Sequence, residues 1–189
     1  SLITSLVSDH SSNVKNSYED IIDDLLAFYK VSFQKHWEDE KYKWQAIKCF
    51  QDNWNIDADD FSEMFKNATK LSSNLLASIS SYPGAQIQDF AKENQSKTKS
   101  MFEDLYNESK DLEDRILLFK TTSEEILTEH NQKHPNDIWK TCYQTENSIS
   151  TYLWLKYPDK YYIYKFGEVK NIESLISNNP VIKKGYGIK

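Results

Sequence analysis

The sequence predicts a mainly α, multi-helix domain, with a small α/β element near its C-terminal end. Three observations carry that prediction. The 189 residues hold only four glycines and four prolines, too few for the many tight turns of an all-β fold. Apolar residues recur at three- and four-residue spacing through most of the chain, which is the period of one helix face. Helix-capping residue types, among them Ser17 and Asp59 or Asp60, stand at the heads of such runs. The chain is long enough for a real core. Its 14% aromatic content argues against disorder although mean hydropathy is -0.72.

Taken in order, residues 1–16 lack a sustained period and are expected to form a flexible lead to a single domain over 17–189. Ser17 to Asp20 fits a variant capping box. Ile21, Ile22, Leu25, Phe28, Tyr29, Phe33 and Trp37 then predict an amphipathic helix. Tyr42, Trp44, Ile47, Phe50 and Trp54 predict a second, either continuous with the first through a bend or folded back on it. Residues 55–60 read as a loop feeding a helix that carries Phe61, Met64, Phe65 and Ala68. Residues 71–79 predict a short helix, and Pro83-Gly84 a turn that breaks the chain. Further helices follow around Ile87–Ala91, Met101–Tyr106 and Leu112–Leu127, the last stopped by Pro135. A polar loop anchored by Ile138 and Trp139 leads to a helix over Glu146–Leu155, and 157–160 is a turn. Tyr161–Lys165 is a strand candidate, rich in β-forming residues. Gly167–Ile176 closes as helix.

Charge is unevenly distributed. Residues 150–189 hold seven lysines and three acids, whereas the whole chain has 23 basic and 29 acidic residues. A basic end on an acidic body suits a contact surface for nucleic acid, or simply a solvated face. The single arginine, Arg115, argues against a duplex reader, since arginine supplies the fork that grips guanine edges and phosphates. No apolar run approaches a membrane span. Cys49 and Cys142 are far apart and outside any CxxC spacing, which fits buried thiols in a reducing, cytoplasmic setting.

Motifs for chemistry are scarce. His130 and His134 stand one helical turn apart, as two metal ligands would. The spelling HNQKH lacks the glutamate of a zincin, and no third ligand is marked, so they read as exposed histidines at a helix end. The acids at 52, 57, 59, 60 and 63 miss the register and glycine of a calcium loop and read as caps. No GxSxG or GxxxxGK[ST] occurs. Neither a catalytic residue, a metal nor a cofactor is expected within this chain.

The densest feature is Ser150–Lys170, STYLWLKYPDKYYIYKFGEVK, where seven aromatic residues alternate with lysines. Tyrosine and tryptophan suit half-buried platforms, and exposed rings flanked by lysines suit stacked bases and phosphates. Trp154, Tyr161 and Tyr162 are therefore candidate stackers. Lys156, Lys160, Lys165, Lys183 and Lys184 are candidate phosphate contacts. The competing reading makes these rings core or interdomain packing.

This stretch, as NSISTYLWLKYPDKYYIYKFGEVKNI over Asn147–Ile172, resembles a segment near the start of bacterial McrB-like AAA+ proteins. HWEDEKYKWQAIKCFQDNWNIDADDFSEMFKNA over His36–Ala68 is similar to the same family. So are NLLAS at Asn74–Ser78 and MFEDLYNESKDLEDRI at Met101–Ile116. The resemblance implies an N-terminal region of a larger protein, with a GTP-hydrolysing AAA+ ring downstream and a nuclease subunit as partner. The system it implies is modification-dependent restriction of foreign DNA. Its variable N-terminal part recognises the target. The expected function is thus a non-catalytic DNA-recognition or positioning module. The alternative, favoured by the acidic body, is a protein-interaction or sensor domain for a phage protein or partner subunit.

Overall fold

The computed structural model describes residues 18–78, 80–136 and 138–176. These contain nine helices and no strand, in agreement with the mainly α expectation. In chain order they are α1 (Tyr18–Glu40), α2 (Tyr42–Asn53), α3 (Phe61–Thr69), α4 (Ser73–Leu76), α5 (Pro83–Glu93), α6 (Gln95–Tyr106), α7 (Leu112–Lys133), α8 (Glu146–Lys156) and α9 (Phe166–Ile176). The described residues fall into two units, one of 18–41 with 165–176, the other of 42–164.

The first unit carries α1 and α9. Ile22, Leu26, Tyr29, Phe33 and Trp37 recur along α1 at spacings of three or four, so they form one stripe. The Tyr29, Phe33 and Trp37 rings follow one another down it, tilted, with centroids 5.7 and 5.8 Å apart. α9 starts on the Lys165 carbonyl, which accepts from the amides of Glu168 and Val169 at 3.0 Å each. Its Lys170 ammonium lies over the Phe166 ring.

The second unit contains an aromatic core. Phe50, Phe61, Phe65, Phe90, Phe102, Phe119 and Tyr152 are each at most 1% exposed. Phe102 is the hub. Its ring centroid lies 5.1 to 5.9 Å from those of Trp54, Phe61, Phe65, Tyr106, Phe119 and Tyr152, mostly tilted or edge-on. Such pairs contribute about 0.5–1.5 kcal/mol each beyond burial.

Local chemistry explains the boundaries. Asp60, one of the two aspartates the sequence offers, caps α3 by accepting from the Glu63 amide at 2.9 Å. Gln95 clamps the preceding loop: its Oε1 accepts from the Phe61 amide and its Nε2 donates to the Asp59 carbonyl, both at 2.9 Å. Asn94 and Asp111 cap α6 and α7. Thr145 and Ser148 form a capping box on α8.

Several details differ from the sequence reading. α4 spans only Ser73–Leu76 within the predicted 71–79. Pro83-Gly84 opens α5 instead of forming a free turn. Proline lacks the amide that a first helical residue leaves unbonded anyway. Gly84 brings the backbone against Leu76, where an added Cβ would sit 3.5 Å from the Leu76 Cβ. The small α/β element is not seen: residues 161–165 form no strand. The backbone of Tyr164 is tied to α8 instead. The Tyr164 amide donates to Ser150 Oγ at 2.8 Å, and Asn147 Nδ2 donates to the Tyr164 carbonyl at 2.7 Å. β-forming side chains do not make a strand without a neighbouring strand to pair with.

A buried polar bridge fixes the loop before α8. Gln86, fully buried, donates from Nε2 to the Thr141 carbonyl at 3.0 Å and accepts at Oε1 from the Tyr143 amide at 2.8 Å. Gln144 Nε2 donates to the Pro83 carbonyl, and its Oε1 accepts from the Tyr152 hydroxyl, each at 3.0 Å. Buried amides this fully bonded specify one register for the loop.

Candidate functional site

The lysine- and tyrosine-rich segment begins on α8. Ile149, Tyr152, Leu153 and Leu155 are buried, as are Ser148, Ser150 and Thr151, so this helix is enclosed on more than one face. Trp154 is half-buried and packs against the core. Lys156, two residues on, points to another side of the helix. Its Nζ lies 5.8 Å from the centroid of the Tyr106 ring, a cation–π contact. The Tyr106 hydroxyl in turn donates to the Tyr152 carbonyl, and the Tyr157 hydroxyl to the Tyr106 carbonyl, both at 3.3 Å.

The turn at 157–160 is present, with the amides of Lys160 and Tyr161 both bonded to the Tyr157 carbonyl. It delivers Tyr161 to Arg115. That arginine is 4% exposed; it donates from Nη1 to the Leu105 carbonyl and from Nη2 to the Tyr161 hydroxyl, both at 2.9 Å. The Tyr161 hydroxyl donates onward to Glu108 Oε1 at 2.9 Å, and the Lys160 ammonium pairs with the same carboxylate oxygen. The hydrogen bond from Lys160, followed by that from Tyr161, holds the Glu108 carboxyl below its ordinary range. Glu108 raises the Lys160 ammonium correspondingly.

The candidate residues are therefore divided among different environments. Lys160 and Tyr161 meet at Glu108, Lys156 sits on Tyr106, and Trp154 lies against the core. Tyr162 projects outward and is 81% exposed. Lys165 belongs to the other unit, where its Nζ is 3.4 Å from Glu168 Oε1. Lys183 and Lys184 lie outside the described residues, as does the predicted lead at 1–16.

A second cluster joins residues far apart in sequence. Glu93 is the last residue of α5, His130 lies in the last turn of α7 and His134 is the α7 C-cap. Glu93 Oε2 is 3.0 Å from His134 Nε2 and 3.9 Å from His130 Nδ1. Lys133 Nζ donates to Glu93 Oε1. The imidazole rings are tilted by 37° with centroids 4.7 Å apart. The Glu93 side chain is 6% exposed, that of His130 9% and that of His134 51%, so the cluster opens to solvent on the His134 side. The Lys133 hydrogen bond is the main influence on the Glu93 carboxyl and, with His134, lowers its pKa against the upward push of burial. The expectation of two exposed histidines holds for His134 and not for His130, which is buried, and sequence reasoning missed Glu93, because nothing local to HNQKH marks a carboxylate delivered by another helix.

Elsewhere in this unit, burial pushes the Cys142 thiol up to about 11, and both cysteines are free thiols. No helix among the described residues is long and apolar enough to cross a membrane. Comparison of the chain with known protein families, with curated proteins and with solved structures finds no match.

Proposed function

We propose that this chain is a non-catalytic protein-interaction module, the N-terminal recognition part of an McrB-like AAA+ restriction protein, docking a partner subunit or a phage protein. The observation that carries this reading is α1. Its Ile22, Leu26, Phe28, Tyr29, Val31 and Trp37 are all exposed, Val31 by 78%. Exposed apolar side chains gathered on one element favour association with another protein. The stripe from Ile22 to Trp37 has the near-heptad spacing that a partner helix packs against. The acidic net charge of -6 adds a general repulsion of phosphate.

DNA recognition is the second reading, and Tyr162 favours it. An 81% exposed tyrosine in a lysine-bearing segment suits base stacking. Support is thinner than the spelling promised, because Lys156, Lys160 and Tyr161 already have partners inside the unit.

The two readings separate in one experiment. The folded chain is titrated with purified partner nuclease subunit and assembled AAA+ ring, and in parallel with modified and unmodified duplexes at low salt. Protein binding that is lost in Val31→Asp or Leu26→Asp, with no DNA retardation, supports the docking module. DNA retardation that disappears in Tyr162→Ala, with no protein binding, replaces it with the second reading.

A further inference from the structure

We infer that Glu93, His130 and His134 form a binding site for a single divalent transition-metal ion of the Zn²⁺ class. The donor set is two imidazole nitrogens and one carboxylate oxygen, which suits a borderline ion of this kind and not calcium or magnesium, which take all-oxygen shells. The distances fit. With bonds of about 2.0–2.1 Å, the ligand atoms of a tetrahedral ion lie roughly 3.3 Å apart. Here Glu93 Oε2 stands 3.0 Å from His134 Nε2 and 3.9 Å from His130 Nδ1, and all three ligand atoms lie within 4.8 Å of one another. Small side-chain rotations close that set onto one ion.

The surroundings favour a cation independently of the ligands. The C-terminal ends of α5 and α7 both lie at the site. Each helix end carries partial negative charge, which favours positive charge in its last turn. Lys133 takes Glu93 Oε1 and leaves Oε2 to the histidines, so it orients the carboxylate as an outer-shell partner does. Its own charge opposes the ion and sets a ceiling on affinity. Three protein ligands leave the fourth position to water, on the exposed His134 side. The ion would clasp the end of α5 to the end of α7, across 37 and 41 residues of sequence (to His130 and His134). The competing explanation is that these groups are a hydrogen-bonded ion-pair cluster and nothing more.

Calorimetric titration of the untagged, chelator-treated full chain with Zn²⁺ tests the site. The expected result is saturable binding of one ion per chain, reversed by chelator. His134→Ala removes a half-exposed ligand and Glu93→Gln a buried one. Each should weaken binding at least about tenfold, since even outer-shell losses cost 10–100-fold. Bound Co²⁺ should show the visible bands of a four-coordinate ion in the parent and not in His134→Ala. Circular dichroism confirms that the variants remain folded, and His134→Ala suffices if Glu93→Gln does not. Absence of saturable binding, or equal affinity in the parent and in folded His134→Ala, overturns the site.

Discussion

α1 and α8 are both helices rich in aromatic and branched residues, yet they end in opposite situations. On α8, Ile149, Tyr152, Leu153 and Leu155 are buried. On α1, Ile22, Leu26, Phe28, Tyr29 and Val31 are exposed. Periodicity identifies an apolar face but carries no information about what covers it. For α8 the cover comes from the same unit, where Tyr152 lies among the rings of Phe65, Phe102 and Phe119. The exposure of α1 is what the proposed docking role would use.

Mutation should separate the two helices sharply. Tyr152→Ala removes a fully buried ring and is expected to cost about 3–5 kcal/mol, read by chemical denaturation. Phe28→Ala on α1 should stay within about 0.5 kcal/mol, as for other surface positions. Equal losses would break the comparison. Tyr152→Phe sharpens it by removing only the hydroxyl that bonds Gln144 Oε1; a loss of about 1–3 kcal/mol is expected from the buried acceptor left without its donor. Asp60→Ala, which deletes the α3 cap, should cost about 1 kcal/mol in the same assay.

The smallest effect concerns pH. Burial pushes the Glu146 carboxyl up, but the hydrogen bonds from Lys120 and from its own amide outweigh this, so its pKa is lowered. Glu93 is lowered too, principally by Lys133. A carboxyl lowered in the folded state contributes stability above its unfolded pKa of about 4.3, and loses it as pH falls through the folded value. Stability should therefore decline below about pH 4.3, and more shallowly in Glu146→Gln. An unchanged pH profile in that variant would remove Glu146 from the account.

How much was legible in the sequence depended on the range of the interaction. Helices, the Asp60 cap and the turn at 157–160 follow from neighbours within a few residues, and they were readable. The Tyr161–Lys165 strand failed because β-propensity needs a pairing partner, and side chains of α8 took the backbone groups instead. Pro83-Gly84 was read as a turn and opens a helix, because the same pair suits a turn or a first helical turn. The intramolecular partners of the candidate platform were hidden for a related reason: Lys160 and Tyr161 meet Glu108, 52 and 53 residues earlier in the chain. Glu93 reaches the histidine pair by the same kind of long-range packing, which no local spelling announces.

Arg115 is the chain's only arginine, and it is buried against the Leu105 carbonyl and Tyr161. The exterior of this chain consequently offers no planar guanidinium to a polyanion. Its permanent outward cations are ammonium groups on flexible stems, which sense field strength and ionic milieu far better than they sense shape. Any selection this chain makes among anionic visitors therefore does not rest on the planar, bidentate contact that arginine makes.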